Sequence, residues 1–317
     1  MKKAVQTLFA LLMVICLFGC SHKQDHDIYI LFTNDIHACA DENIGLAGVK
    51  YFKDQYVNSH TYVTLVDCGD SVEGGPIGEY RDGYEIYMLM NDCGYDVAVL
   101  GNQDFTYGMD ATVSLIEQAN FDIVGCNVRY TGSNSDRLSD IQPYVIKKYG
   151  HTKVAFIGVM TPDILEEGKP SYDALLEDGE IVYSFYEDNE GQDLYDQVQK
   201  TIDKVSKKAD YVIVLSHLGV ENKSQPYTSL ELIANTTGID VLIDAHSHTV
   251  NYGEAFANKD GDDVVLVSTG KDLEYIGELI LHTDHTYSTM LYDSVDGKDP
   301  FIEAEIEDIN EEMKKYQ

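Results

Sequence analysis

Five apolar segments of strand length each end in a short polar signature, and this pattern constrains the fold more than any other feature of the chain. Predicted helices separate most of them, beginning with LAGVKYFKDQYVN, in which Leu46, Val49, Phe52 and Tyr56 share one face. Alternating strands and helices are typical of α/β folds in which parallel strands lie side by side. The five segments are IYILFTND, TYVTLVDCGD, YDVAVLGN, DYVIVLSHLG and IDVLIDAHSHT.

Later segments of the chain favour hairpins over strand–helix units. YVIKKYGHTKVAFIGVM predicts a β-hairpin with Gly150 near its turn, and DVVLVSTG, YIGELILHTD and TYSTMLYD predict strands of antiparallel character. Residues 163–189 are acidic and irregular, which predicts a long surface loop. A charged helix is predicted over Phe301–Tyr316. We therefore expect an α/β fold of two packed β-sheets flanked by helices.

The N-terminus has the features of an export signal. Lys2 and Lys3 precede eleven apolar residues, Leu8–Phe18, which are too few to cross a bilayer. The following LFGC, residues 17–20, resembles a bacterial lipobox and predicts cleavage before Cys20 with a lipid on its sulfur. We expect a signal peptide over 1–19, a polar tether over 20–27 and a protein anchored outside the cytoplasm, on the extracellular or periplasmic face of the membrane. A plain secretory signal cut nearby is the alternative.

The net charge excludes some partners. At −33, the surface repels nucleic acid and anionic lipid, and a phosphorylated substrate needs a local positive centre such as bound metal. Four cysteines remain beyond the signal and Cys20, and because none lies in a C-x-x-C pair, a zinc knuckle is not favoured. Export permits disulfides, but the apolar segments around Cys68 and Cys126 favour buried thiols. The four are Cys39, Cys68, Cys93 and Cys126.

The polar signatures at the strand ends contain metal-binding side chains. Because the carboxyl ends of parallel strands meet at one edge of a sheet, these side chains should lie together. A lone histidine after a strand is more often a core residue, but five strand ends with such side chains indicate a site. Asp-x-His and His-x-His place alternate residues on one side of an extended segment. Nitrogen and oxygen ligands suit Zn, Mn, Fe or similar ions, and seven suffice for two. The predicted ligands are Asp35, His37, Asp70, Asn102, His217, His246 and His248.

The motifs NDIH, VDCGDSVEGGP, GYDVAVLGNQDFTYG, LSHLG and AHSHT occur in the order of the calcineurin-like metallophosphoesterases. From about Ile28 to about Tyr292 the chain resembles the catalytic domain of the bacterial 5'-nucleotidase and UDP-sugar hydrolase family. The resemblance implies an αββα sandwich over 28–299 that hydrolyses nucleotides or other phosphate esters through a metal-bound hydroxide. It also implies a first ion held by Asp35, His37 and His248, a second held by Asn102, His217 and His246, and Asp70 as the bridge.

The loop after the third strand departs from the family. Relatives read Gly-Asn-His-Glu-Phe-Asp-Tyr-Gly there, with the His near the leaving-group oxygen and the second acid orienting it. This chain has Gln103 in place of that His and Thr106 in place of that Asp. A positioned general acid contributes about 10²–10⁴-fold, and an amide cannot replace it. We expect slow turnover, a leaving group that needs little protonation, or binding of metal and phosphate without turnover.

Two more residues near these motifs have an expected role. Asp67, ahead of the predicted bridge, is expected to be structural, and Asp104 is a conceivable substitute acid that is expected to face away. Family members usually continue into a second domain that binds the nucleobase, and residues 300–317 resemble the linker to it. A partner chain supplying that specificity domain is one alternative.

The function predicted from the sequence is that of an exported dinuclear phosphohydrolase with a small phosphorylated substrate, a nucleotide above all. Two other readings stay open. One is a non-catalytic metal- or phosphate-binding lipoprotein on the same fold, and the other is a phosphodiesterase.

Overall fold

Two six-stranded β-sheets lie at the centre of the molecule. The computed structural model describes residues 24–166, 169–170 and 175–316. The predicted signal peptide, Cys20 and the first half of the tether lie outside the described residues. The strands are β1 (Ile28–Thr33), β2 (Tyr62–Asp67), β3 (Val97–Val99), β4 (Asp122–Val124), β5 (Arg129–Tyr130), β6 (Tyr144–Tyr149), β7 (Thr152–Val159), β8 (Leu165–Glu166), β9 (Lys169–Pro170), β10 (Leu176–Glu177), β11 (Glu180–Ile181), β12 (Tyr183–Ser184), β13 (Tyr211–Ser216), β14 (Val241–Asp244), β15 (Val250–Ala257), β16 (Asp263–Thr269), β17 (Ile276–Leu281) and β18 (Tyr287–Tyr292).

Helices cover the outer faces of these sheets. Their bounds are α1 (Gly45–Ser59), α2 (Gly75–Glu79), α3 (Tyr84–Cys93), α4 (Met109–Gln118), α5 (Gln192–Val205), α6 (Ser229–Asn235) and α7 (Pro300–Tyr316). The predicted apolar face of α1 is confirmed, because Leu46, Val49 and Phe52 are buried. Among the described residues, no helix combines the length and the apolar character that a membrane crossing requires.

The first sheet has the strand order β18-β17-β1-β2-β3-β4. Strands β1 to β4 pair in parallel, which confirms the prediction for the first half of the chain. Strand β17 pairs antiparallel with β1 on one side and with β18 on the other. The carboxyl ends of β1, β2 and β3 therefore meet at one edge.

The second sheet has the order β15-β16-β14-β13-β7-β6 and is more parallel than predicted. The β6–β7 hairpin is confirmed. The antiparallel expectation for the segment DVVLVSTG is wrong with respect to β14, because β16 pairs in parallel with it. The sequence analysis also missed β15, an edge strand with alternating exposure and a bulge between Tyr252 and Glu254. Since β15 has no buried apolar segment, it lacks the signal that marks the other strands.

The core lies between the two sheets and on their outer faces, which confirms the predicted α/β fold of packed sheets flanked by helices. Along β7, Phe156 belongs to the core between the sheets, whereas its neighbour Ile157 belongs to the core under α5. Strands buried on both faces read as continuous apolar segments. That is why the strands that carry the predicted ligands are visible in the sequence.

The prediction of a long surface loop over residues 163–189 is wrong for part of that segment. Strands β10 and β11 form a short hairpin, and β12 pairs with β5. Leu175, Tyr183 and Phe185 are buried within this segment. Its few apolar residues are separated by acidic ones, so they give no strand periodicity, but they still anchor the segment to the core.

The cysteines beyond the tether are free thiols. Cys68, Cys93 and Cys126 are buried, and Cys39 is half-buried. Burial raises the pKa of Cys126 to about 12. This thiol is therefore protonated and unreactive at neutral pH.

The C-terminal helix α7 gives a test of the packing. Ile302 is fully buried where α7 meets α1 and α3, whereas the neighbouring Phe301 is 59% exposed. We expect Ile302→Ala to lower the free energy of unfolding by about 2–5 kcal/mol. Phe301→Ala should change it by less than about 0.5 kcal/mol. Urea denaturation measures both, and equal losses would contradict this packing of α7.

Candidate metal centre

All seven predicted ligands lie at the carboxyl ends of five strands from the two sheets. Asp35 and His37 follow β1, Asp70 follows β2 and Asn102 follows β3 in the first sheet. In the second sheet His217 follows β13, and His246 and His248 follow β14. The site is therefore shared between the sheets, and its geometry depends on how they pack.

Six of these side chains form two compact groups. One consists of Asp35, His37 and His248, and the other of Asp70, His217 and His246; within each group the ligand atoms lie within 4.8 Å of one another. His217 Nε2 lies 3.1 Å from Asp70 Oδ2, and His37 Nε2 lies 4.0 Å from the same oxygen. Asp70 thus belongs to the second group and also approaches His37 of the first group; its role as a bridge stays a prediction.

The backbone at this edge is strained. Five of the seven predicted ligands have a positive φ, from 48° at His37 to 73° at His246. A non-glycine residue in this region costs about 1–3 kcal/mol and persists only where surrounding contacts enforce it. Here the amide of Asp35 donates to the Gly69 carbonyl, that of His37 to the Asp70 carbonyl, and that of His246 to the Asp35 carboxylate. These bonds link β1 to β2 and to β14.

Three of the four histidines are oriented by a second partner. His37 Nδ1 lies 3.0 Å from Asp272 Oδ1, and His246 Nε2 lies 2.9 Å from Asp163 Oδ2. His217 Nδ1 donates to the Cys68 carbonyl at 2.6 Å. In metal sites a ligating histidine donates its other ring N–H in this way, which fixes the tautomer and turns the free nitrogen toward the ion.

Two buried atoms at this edge fit a metal ion. His37 Nε2 and Asn102 Oδ1 are buried without a hydrogen-bond partner among the described residues. Buried polar atoms are nearly always partnered, so an orphaned atom needs an explanation. Both are ligand atoms of the predicted set, and bound cations would provide the missing partners.

Sequence analysis missed Asp163 and Asp272, the carboxylates that hold His246 and His37. Asp163 follows β7 by four residues, and Asp272 follows β16 by three. Both therefore carry the strand-end signal that identified the ligands. Neither residue was predicted because both follow strands outside the five segments with polar signatures.

Two buried aspartates brace the loops beneath the site. Asp67 accepts from the hydroxyls of Thr33 and Ser71 and from the Gly69 amide, so its predicted structural role is confirmed. Asp104 accepts three backbone amides, from Asp70 at 3.0 Å, Ser71 at 3.0 Å and Gly101 at 2.8 Å. Its carboxylate faces the backbone, as expected, and its contacts hold the two loops together.

Gly101 lies where the loops approach most closely. A Cβ there would lie 2.1 Å from Asp70 Oδ1 and 2.6 Å from His217 Nε2. Any side chain at residue 101 would therefore displace the bridge position and a predicted ligand, and only glycine fits.

Gln103 and Thr106 lie in the same loop. The backbone amide of Gln103 donates to Asp70 Oδ1 at 2.8 Å, which holds the loop against the centre of the site. Gln103 Oε1 and Thr106 Oγ1 are buried and have no partner in the described part of the chain. Because these two oxygen atoms have no partner there, both are available to a ligand.

The electrostatics of the site centre on one ion pair. Burial would lower the pKa of His217, but the Asp70 and Asp35 carboxylates outweigh it and raise that pKa to about 10. Burial would raise the pKa of Asp70, but His217 holds it below its usual value. Burial lowers the pKa of His248 to about 4, so this imidazole is neutral at pH 7. Without a cation, His217 carries the proton that balances Asp70.

Comparisons with known proteins show which family this chain resembles. The family model described as Bacterial capsule synthesis protein PGA_cap matches residues 58–270. The chain is 30% identical to the Trifunctional nucleotide phosphoesterase protein YfkN of Bacillus subtilis (strain 168) over 255 residues, 69% of this chain and 16% of that protein. It is 28% identical to the 2',3'-cyclic-nucleotide 2'-phosphodiesterase/3'-nucleotidase of Haemophilus influenzae over 282 residues, 77% of this chain and 39% of that protein.

A solved structure shares the fold. The 5'-nucleotidase precursor of Thermus thermophilus superposes with a TM-score of 0.76 at 21% identity, covering 91% of this chain and 59% of that one. The chain thus spans less than two thirds of the length of each of these three proteins.

Metal binding should depend on pH because His217 must lose its proton before Nε2 can act as a ligand. We expect the affinity for Mn²⁺ to rise about tenfold per pH unit between pH 6 and 8 for each proton displaced. Isothermal titration in buffers of different ionisation enthalpy measures the protons released. An affinity that does not change over this range would contradict the ion pair.

The orienting carboxylates give a second prediction. Asp163→Asn and Asp272→Asn should each weaken Mn²⁺ binding about 10–100-fold, because His246 and His37 lose the partner that fixes their tautomer. Asp263→Asn, an exposed change at the start of β16, is the matched control. Affinity is read by titration with Mn²⁺ at constant pH. Wild-type affinity in both site variants would show that the two carboxylates do not support the histidines.

Proposed function

We propose that this chain is a metal-dependent phosphoric ester hydrolase. It belongs to the PGA_cap family and, with its phosphoesterase relatives, to the calcineurin-like metallophosphoesterases. The observation that carries the proposal is the pair of compact ligand groups, one of which contains Asp70. The names of its relatives are those of nucleotide phosphoesterases. We extend that substrate class, a nucleotide or another phosphate ester, to this chain.

The donor set supports two divalent ions, which we take to be Zn, Mn, Fe or similar. Asp35, His37 and His248 would hold one, Asn102, His217 and His246 the other, and Asp70 both. Bound there, the ions would activate water and stabilise the charge on the transferred phosphoryl group. Their positive charge would also attract a phosphate to a chain of net charge −33.

The protein itself positions this centre. Asp163, Asp272 and the Cys68 carbonyl orient three imidazoles, and Asp104 fixes the loops that carry Asp70 and Asn102. Precise positioning of the reacting groups can contribute about 7–11 kcal/mol toward lowering a reaction barrier. The strained backbone at Asp35, Asp70 and His246 belongs to the same pre-organisation.

The loop at Gln103 sets the expected leaving group. An amide can donate a hydrogen bond to a phosphoryl oxygen, and the Thr106 hydroxyl can do the same, but neither can transfer a proton to a departing alkoxide. The contribution of a general acid, about 10²–10⁴-fold, is then absent. Esters whose leaving group is already stable, such as pyrophosphates and aryl phosphates, lose least by this.

A phosphodiester is the second candidate substrate. One relative favours it, because the printed name of the Haemophilus influenzae protein includes a cyclic-nucleotide phosphodiesterase. The third reading, a metal- or phosphate-binding lipoprotein without turnover, predicts bound metal and no hydrolysis of any ester.

Cellular location and partners complete the proposal. We infer export and a lipid on Cys20 from the N-terminal signal. The chain spans 39% or less of the length of the two curated relatives, and a partner chain is one proposed source of contacts to the nucleobase. The lipid would keep the enzyme at the extracellular or periplasmic face of the membrane.

The test is a substrate panel on the purified protein with Mn²⁺. We expect hydrolysis of 4-nitrophenyl phosphate and of a nucleoside diphosphate, slower hydrolysis of nucleoside monophosphates, and loss of all activity with a chelator. Faster hydrolysis of bis(4-nitrophenyl) phosphate than of the monoester would favour the diesterase. Bound metal without turnover on any ester would contradict the hydrolase.

Restoring the proton-transfer pair gives a sharper prediction. The double change Gln103→His with Thr106→Asp should raise kcat on nucleoside monophosphates about 10²-fold and leave 4-nitrophenyl phosphate within about threefold, since a nitrophenolate needs no acid. Each single change is the control, and we expect it to give much less than the pair. No gain from the pair would mean that the loop has adapted to a different substrate.

A further inference from the structure

Five exposed lysines lie along the β6–β7 hairpin and at or just beyond the end of α5, and we term them the lysine face: Lys148, Lys153, Lys204, Lys207 and Lys208. Lys148 and Lys153 are cross-strand partners at the end of the β6–β7 hairpin. The ammonium groups of Lys204 and Lys208 lie 5.2 Å and 5.9 Å from the ring centroid of Tyr144 on β6.

Two hydrogen bonds join Lys153 on β7 to Asp210, which follows α5. The Lys153 amide donates to the Asp210 carboxylate, and the Asp210 amide donates to the Lys153 carbonyl. Lys207 and Lys208 directly precede Ala209 and Asp210 in the chain. The end of α5 is therefore held beside the β6–β7 turn.

The lysine face is distinguished by its lack of ion pairs among the described residues. The chain has 55 acidic and 22 basic residues, yet in the described segments none of the five lysines forms an ion pair with a carboxylate, whereas the nearby Lys147 pairs with Asp122 at 2.7 Å. Like charges placed directly across two strands, as Lys148 and Lys153 are, destabilise a sheet. A concentration of unpaired positive charge in so acidic a chain indicates an anionic partner.

Carboxylates on the same face are engaged elsewhere. Asp210 accepts the Lys153 amide at 2.8 Å, and Asp25 accepts from the Tyr62 hydroxyl. Asp27 accepts from the Thr283 amide and contacts His282 Nδ1 at 3.0 Å. These acids fix turns, and they leave the lysine ammonium groups exposed to solvent.

The lysine face lies at the opposite end of the strands from the metal centre. Lys153 is at the start of β7, which is parallel to β13, and His217 follows the far end of β13. Six residues of β13 span about 20 Å. A surface bound at the lysine face would therefore leave the metal centre open on the other side.

The chain enters the domain beside this face. Gln24 is 3% exposed, donates to the Leu281 carbonyl and accepts from the Tyr211 hydroxyl, one residue after Asp210. Cys20 precedes Gln24 by four residues, which reach at most about 14 Å when extended. A lipid on Cys20 would thus hold the lysine face within about one or two Debye lengths of the bilayer, where charge attraction is effective.

We propose that the lysine face binds the anionic headgroups of a phospholipid bilayer and orients the metal centre away from the membrane. The proposal rests on the predicted lipid at Cys20 and is independent of the reaction catalysed. Lipid chains and a basic surface act together as membrane signals, and each lysine near an anionic surface strengthens partition about fivefold. The lysine face would therefore be a local exception to the repulsion from anionic lipid that the net charge predicts.

The test is lysine footprinting of the full chain, expressed in a bacterium that processes lipoproteins and reconstituted into vesicles of phosphatidylglycerol or of phosphatidylcholine. Trace labelling with an amine-reactive reagent, read residue by residue by mass spectrometry, reports exposure. We expect Lys148, Lys153, Lys207 and Lys208 to label several-fold more slowly on phosphatidylglycerol, and salt at about 0.5 M to remove the difference. Lys314 and Lys315, exposed on α7, are the internal control and should not change.

Variants and flotation separate the ways in which the proposal can fail. Replacing all four footprinted lysines by Gln should let Lys204 label equally on both lipids, whereas Lys314→Gln with Lys315→Gln should leave its protection intact. A chain that floats with neither vesicle overturns the anchor and the proposal with it. A chain that floats with both, but whose lysines label alike on the two lipids, overturns the lysine face alone.

Discussion

One buried carboxylate joins the loops on which the candidate site depends. Asp104 accepts the amides of Asp70, Ser71 and Gly101, and thereby fixes the loop after β2 against the loop after β3. Its contacts explain which positions of GNQDFTYG are constrained. Gly101 leaves room for Asp70 and His217, Asn102 supplies a predicted ligand, and Asp104 is the brace. Gln103 Oε1 and Thr106 Oγ1 have no partner among the described residues, so these two positions can change without loss of the site.

The residues that form the candidate metal site differ from those at the loop positions where relatives carry the proton-transfer pair. The ligand groups depend on strand ends, positive φ values and orienting partners, all of which are present. The proposed chemistry at the leaving group depends only on the two unconstrained positions of the loop. A member of this family can therefore keep its metal centre while its preferred leaving group changes.

Sequence reasoning found the parts of the structure that have a local signal. Strands buried on both faces, such as β13 and β14, are continuous apolar segments, and the polar residues at their ends marked the site. The parallel pairing of β16 with β14 was missed because the connection between them is the edge strand β15 and not a predicted helix. Strand β15 was missed because its alternating exposure and its bulge at Tyr252 leave no apolar segment. Asp163 and Asp272 act through histidines far away in sequence, and only the fold brings each pair together.

The central claim is that two metal ions share Asp70. Anomalous diffraction from crystals grown with Mn²⁺ tests it most directly. The account predicts two peaks about 3.5–4 Å apart, one beside Asp35, His37 and His248 and the other beside Asn102, His217 and His246, with the Asp70 carboxylate bound to both. A single peak, or two peaks of which Asp70 touches only one, would contradict the account.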